Sequence, residues 1–110
     1  MQRWGILMSM IFDIMKEEHE RLIDVIDLYE SAIAKEIEGS PRPKRIGNKY
    51  YLYFEKRKGP KVFYYYVGNI ESEKAIAAYK SLENRKKYQA LLKQAKANLK
   101  DVKRVFRGKI

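Results

Sequence analysis

The chain has 110 residues, no cysteine, 45% hydrophobic and 35% charged residues, and a formal net charge of +10 at pH 7. That length suits a single domain, 1–110, with a modest core, and the composition is that of a folded chain. Without cysteine, disulfide frameworks and thiolate metal sites are excluded, in keeping with a cytoplasmic protein.

The charge is unevenly placed. Residues 1–40 carry four basic side chains against nine acids, a net −5, and residues 41–110 carry twenty against five, a net +15. Such a split predicts a cationic surface with an anionic partner.

The opening "MQRWGILMSMIFDIMKEEHE" has an arginine before an apolar run, as a signal peptide does. No small-residue cleavage site follows, the next turn is acidic, and the run is shorter than the roughly 20 residues a bilayer requires. It reads as the start of an acidic helix over 1–39, with no membrane role. Met15, His19, Leu22, Ile26, Tyr29 and Ile33 recur at alternating steps of four and three, the seam of a helix that packs on another. Val25, Leu28 and Ala32 widen it, and Glu17, Glu20, Asp24 and Asp27 lie on another face. Gly39, Ser40 and Pro41 stop the helix.

A basic, tyrosine-rich sheet is predicted over 42–68. "PRPKRI" reads as an edge strand because Pro43 has no N–H to donate. Gly47-Asn48 is a two-residue turn, Lys49–Lys56 the central strand, Arg57–Pro60 a four-residue loop and Lys61–Val67 the last strand. A basic helix then runs over 70–107, with Glu71 and Glu73 beside its positive end and Gly108 as the residue that ends it. Its seam is Ala75, Tyr79, Leu82, Tyr88, Leu92, Ala95, Leu99, Val102 and Phe106. The polar "NRKKYQ" is where a bend would fall. The fold class is α+β: a long helix, a three-stranded antiparallel meander and a long C-terminal helix, the two helices forming an antiparallel pair.

Eight aromatic rings crowd into residues 48–69. With the four-residue loop, Phe54 faces Phe63, Leu52 faces Tyr65 and Tyr50 faces Val67 on one side of the sheet. Tyr53 with Tyr64, and Tyr51 with Tyr66, form a ladder on the other, flanked by Lys44 and Lys49. The apolar side is expected against the helices. Exposed tyrosines among lysines can stack on bases and bond phosphates; cross-strand tyrosines also simply stabilise small sheets. Arg45, Lys56, Arg57, Lys58 and Lys61 extend the basic surface through strands and turn, and Arg85, Lys86 and Lys87 add a cationic helix face. Together these are the candidate nucleic-acid contacts.

Other chemistry is thinly represented. His19 is the sole histidine and sits on the seam, which favours a packing role, and the acidic stripe of the first helix reads as a solvated or ion-paired face rather than a metal site. No phosphate-binding glycine loop and no nucleophile with its base is present. A non-enzymatic protein without cofactor or metal is expected.

The stretch "IGNKYYLYFEKRKGPKVFYYYVGN" resembles a tyrosine-rich hairpin of small uncharacterised prokaryotic and archaeal proteins, and the hairpin near the N-terminus of some insertion-sequence transposases. The matching residues are Tyr50, Tyr51, Leu52, the Lys58-Gly59 turn, Tyr66, Val67 and Gly68, within about a quarter of the chain. The resemblance implies a sheet laid against duplex DNA; no transposase catalytic domain accompanies it. The expectation is a small basic nucleic-acid-binding protein, DNA favoured over RNA, dimerising through its helices. The alternative is a helical oligomerisation or scaffold module.

Overall fold

The computed structural model describes residues 2–106. The elements are α1 (Gln2–Ala34), β1 (Ser40–Ile46), β2 (Lys49–Lys58), β3 (Lys61–Asn69) and α2 (Glu73–Phe106), with an antiparallel sheet in the order β1-β2-β3. This is the expected α+β arrangement. The chain forms two compact units, one of α1 to Ala32 with α2 from Tyr88, the other Ile33–Lys87. The helix α2 is continuous through "NRKKYQ".

In the helical unit α1 and α2 pack as an antiparallel pair. Leu22, Ala95 and Val102 are buried, with Phe12, Met15, Val25, Ile26, Tyr29 and Leu99 packed around them. These are largely the residues of the two predicted seams. Burying a leucine such as Leu22 fully contributes about 1.5–3 kcal/mol. Tyr29 meets Tyr88 with ring centroids 6.1 Å apart, and Glu30 meets Lys96 at 3.5 Å. That ion pair is exposed on both sides and adds little. Leu28, expected to widen the seam, is 64% exposed: it lies off the stripe that meets α2. The first turns of α1 leave Trp4, Ile6, Leu7, Met8, Met10 and Ile11 exposed. The side chain of Phe106 and the helix end at Arg107-Gly108 lie outside the described residues.

The sheet unit has its own core. Leu52 and Phe54 are shut from solvent against Ala75 and Ala78 of α2, with Ile37, Val67 and Tyr79 around them. Helix α1 stops at Ala34, short of Gly39. Beyond it the backbone of Ile37 takes partners on α2: its N–H donates to Ser81 Oγ at 2.8 Å, and its carbonyl accepts from Arg85 at 3.3 Å. These bonds replace those a further helical turn would have made. Gly39, at φ 107°, then lets the chain pass so close to β2 that a Cβ would fall 2.6 Å from the Glu55 carbonyl oxygen. Helix α2 begins at Glu73 because Ser72 caps it, accepting from the Ala75 N–H at 3.2 Å and donating to the Asn69 carbonyl at 2.6 Å.

The β2–β3 register departs from expectation. Lys58 pairs with Lys61, so the turn is Gly59-Pro60 alone, not four residues. Gly59 supplies φ 62° at the first turn position and Pro60 its fixed negative φ at the second, a two-residue hairpin combination. Phe54 therefore pairs with Tyr65, Lys56 with Phe63, Glu55 with Tyr64 and Tyr53 with Tyr66. Beyond that, Leu52 pairs with Gly68, leaving Val67 as an extra residue in a bulge.

Candidate functional site

Between Tyr53 and the turn the register is displaced by two residues from the expected one, an even number, so side chains there keep their faces although they exchange partners. Past the bulge Leu52 and Tyr51 pair three residues further on than expected, with Gly68 and Asn69, and the extra residue Val67 absorbs the odd step. Leu52 and Phe54 point to α2. Tyr51, Tyr53, Tyr64 and Tyr66 share the opposite side, as their contacts show. The Tyr53 and Tyr66 rings meet edge to face at 5.4 Å, and Tyr51 and Tyr66 lie 6.3 Å apart at 41°. The Lys44 ammonium sits 5.0 Å from the Tyr53 ring centre and 4.7 Å from that of Tyr64. Tyr64 and Tyr66 are 52% and 60% exposed, while Tyr51 and Tyr53 are half-buried by their neighbours.

On the same face Arg42 is ion-paired with Glu55, Nε to Oε2 at 2.7 Å. Sequence reasoning did not include Arg42. The signal was there: it precedes Lys44 by two in an extended strand and therefore shares its side. Lys49 and Arg57 fall on this face by the same alternation and are exposed.

The remaining candidates divide. Lys56, Lys58 and Lys61 alternate onto the helix side. There Lys56 covers the Tyr65 ring at 5.1 Å and Lys58 the Phe63 ring at 5.8 Å. Phe63 and Tyr65 are 40% and 43% exposed, not buried as expected, because the contacts from α2 reach Leu52 and Phe54 and end there. Arg45 is exposed and donates from Nε to the Gly47 carbonyl at 3.0 Å, holding the first turn. On α2, Lys86 and Lys87 are exposed, whereas Arg85 is half-buried.

The helical unit has a second cationic surface. Lys96, Lys100, Lys103 and Arg104 surround Leu99 on α2. Among the described residues no group of three or more histidine, aspartate or glutamate side chains is placed to hold a metal ion, and no helix is long and apolar enough to cross a membrane. No family model, curated protein or solved structure matches the chain.

The two sides of the sheet thus have different chemistry. One buries Leu52 and Phe54 against α2 and, nearer the turn, leaves Phe63 and Tyr65 partly exposed beneath Lys58 and Lys56. The other carries four tyrosines, Tyr64 and Tyr66 exposed and Tyr51 and Tyr53 half-buried, with cations among them.

Proposed function

We propose that the protein is a small, non-enzymatic nucleic-acid-binding protein that acts in the cytoplasm and favours DNA over RNA. One observation carries the reading: four tyrosines share the solvent side of the sheet, with Lys44 lying over two of their rings. A cation on an exposed ring gains about 0.5–1 kcal/mol, so Lys44 is held loosely and can turn to a phosphate at small cost. Stacking a base on a freed ring gains about 1–3 kcal/mol. Over two rings the lysine gains about 1–2 kcal/mol, which one stacked base matches, and the phosphate contact of the freed ammonium then favours the exchange. Lys49 and Arg57 supply further phosphate contacts on the face, and Lys86 and Lys87 add an exposed cationic stretch.

Binding of the full chain to duplex DNA, single-stranded DNA and RNA at two salt concentrations tests this reading. Log affinity for duplex should fall with log salt at about −0.9 per phosphate contacted. Tyr53→Ala with Tyr64→Ala should weaken binding at least tenfold while leaving circular dichroism unchanged. No binding at low salt, or full affinity in the double variant, refutes it.

A second reading, a helical oligomerisation module, is favoured by a different observation. Trp4, Ile6, Met10 and Ile14 of α1 are each more than half exposed, at 70%, 65%, 56% and 60%. A two-fold homodimer through this part of α1 would bury them. The two readings are compatible, and in a dimer both tyrosine faces could engage one nucleic acid.

A further inference from the structure

The sheet unit holds a cavity of about 440 Å³ whose walls include Arg42, Lys56, Arg57, Arg85, Glu38 and Glu55. These residues lie far apart in the chain, and the turn at Gly39 brings them together. Four cations face two carboxylates. Glu55 is already neutralised by Arg42 at 2.7 Å, which leaves Arg57 and Arg85 against Glu38. Lys56 lies on the cavity wall with its ammonium 5.1 Å from the Tyr65 ring centre, a contact weak enough to give up for an anion.

Arg85 is the unusual member. One terminal N–H donates to the Ile37 carbonyl at 3.3 Å, yet its Nε is buried and has no hydrogen-bond partner. A guanidinium stays charged at any ordinary pH and presents its donors as a planar fork. Leaving one of those donors shut away and unpaired is unfavourable, and a small rotation towards the cavity would relieve it if an acceptor were there. The acceptor that best matches two arginines and a lysine is a tetrahedral oxyanion, which takes paired N–H bonds from each fork. The cavity is open to solvent, so the group the anion is attached to can extend out of it.

We propose that this cavity is a phosphate-binding subsite, formed by Arg57, Lys56 and Arg85, with Arg42 held in place by Glu55. Its natural ligand is a phosphate monoester, either the terminal phosphate of a nucleic acid or a small phosphorylated molecule. The subsite shares Arg57 and the Arg42–Glu55 pair with the edge of the tyrosine face and adds Arg85, which that face lacks, so its phosphate binding is read apart from base stacking. Where the face binds nucleic acid, the subsite prefers a 5′-phosphorylated end.

The test follows the arginine Nε–H signals of the full-length ¹⁵N-labelled protein during titration with inorganic phosphate, with chloride at equal ionic strength as control. The expected result is a saturable shift of the Arg85 signal with phosphate and none with chloride. Arg57 is exposed, so Arg57→Gln should keep the fold and weaken phosphate binding at least fivefold. A 5′-phosphorylated duplex should then bind several times more tightly than the 5′-hydroxyl duplex. If phosphate saturates the site but the two duplexes bind alike, the subsite stands with a small phosphorylated ligand. If phosphate moves nothing, or moves Arg85 equally in Arg57→Gln, the subsite is overturned even where duplex binding persists. Phosphate saturation without any duplex binding supports the subsite and removes the nucleic-acid reading.

Discussion

Phe54 and Phe63 lie on the same side of adjacent strands, yet their surroundings give them very different weights. Phe54 is 1% exposed and is enclosed by Leu52, Ala75, Ala78 and Tyr79. Phe54→Ala removes a ring that its neighbours, two of them alanines on a rigid helix, cannot move in to replace. The expected loss is about 3–5 kcal/mol, set by lost transfer energy plus the cavity left behind. Phe63, 40% exposed beneath the Lys58 ammonium, is already half in water. Phe63→Ala should cost about 1 kcal/mol or less, in line with a partly exposed position. With a urea dependence of roughly 1.5 kcal/mol per molar, the first variant loses about 2–3 M in midpoint and the second under about 0.7 M. Because the chain has two compact units, the measurement should include amide exchange of Leu52 and Tyr53 as well as circular dichroism. Equal losses for the two variants would refute the register and the reach of α2 argued above.

Three further outcomes follow from individual contacts. Gly39→Ala should destabilise the sheet unit by more than the roughly 1–2 kcal/mol of a left-handed backbone alone, since its Cβ would fall 2.6 Å from the Glu55 oxygen; an unchanged urea midpoint would count against the close approach. Met10→Glu with Ile14→Glu should leave helix content intact, and if α1 dimerises it should convert the sedimenting species to monomer; a wild-type protein that already sediments as a monomer removes the dimer. The exposed Glu18 carboxyl is held below the ordinary glutamate range by its hydrogen bond from Arg21. A lowered value means that the pair stabilises above the ordinary glutamate pKa and ceases to as pH falls through the lowered one, so Arg21→Ala should raise the Glu18 midpoint in an NMR titration.

What could be read in the sequence depended on the range of the interaction that decides each feature. Seams repeat within one helix, so Leu22, Ile26 and Tyr29, and Ala95 and Val102 opposite, were legible from spacing alone. The end of α1 was not, because Ile37 leaves the helix for Ser81 and Arg85, more than forty residues away. Turn length was misjudged at Gly59-Pro60, where a two-residue hairpin replaced a four-residue loop. That error could have been severe. An odd displacement would have turned Tyr64 and Tyr66 towards α2; an even one merely slid them along their own face. The tyrosine surface therefore rests on strand alternation, which survived the misreading of the turn. Phe63 and Tyr65 show the limit of the same rule: alternation says which side a ring is on, but only the length of α2 in contact decides whether that side is dry. Arg85 shows it more sharply. In sequence it is the first of three adjacent cations with no reason to differ from Lys86 and Lys87. In the fold its terminal N–H reaches the Ile37 carbonyl, its Nε is left without a bond, and it joins a cavity with residues of β1 and β2. A basic run thus divides into exposed charge at Lys86 and Lys87 and a half-buried fork at Arg85, whose planar donors are what the proposed phosphate subsite would use to prefer a tetrahedral anion.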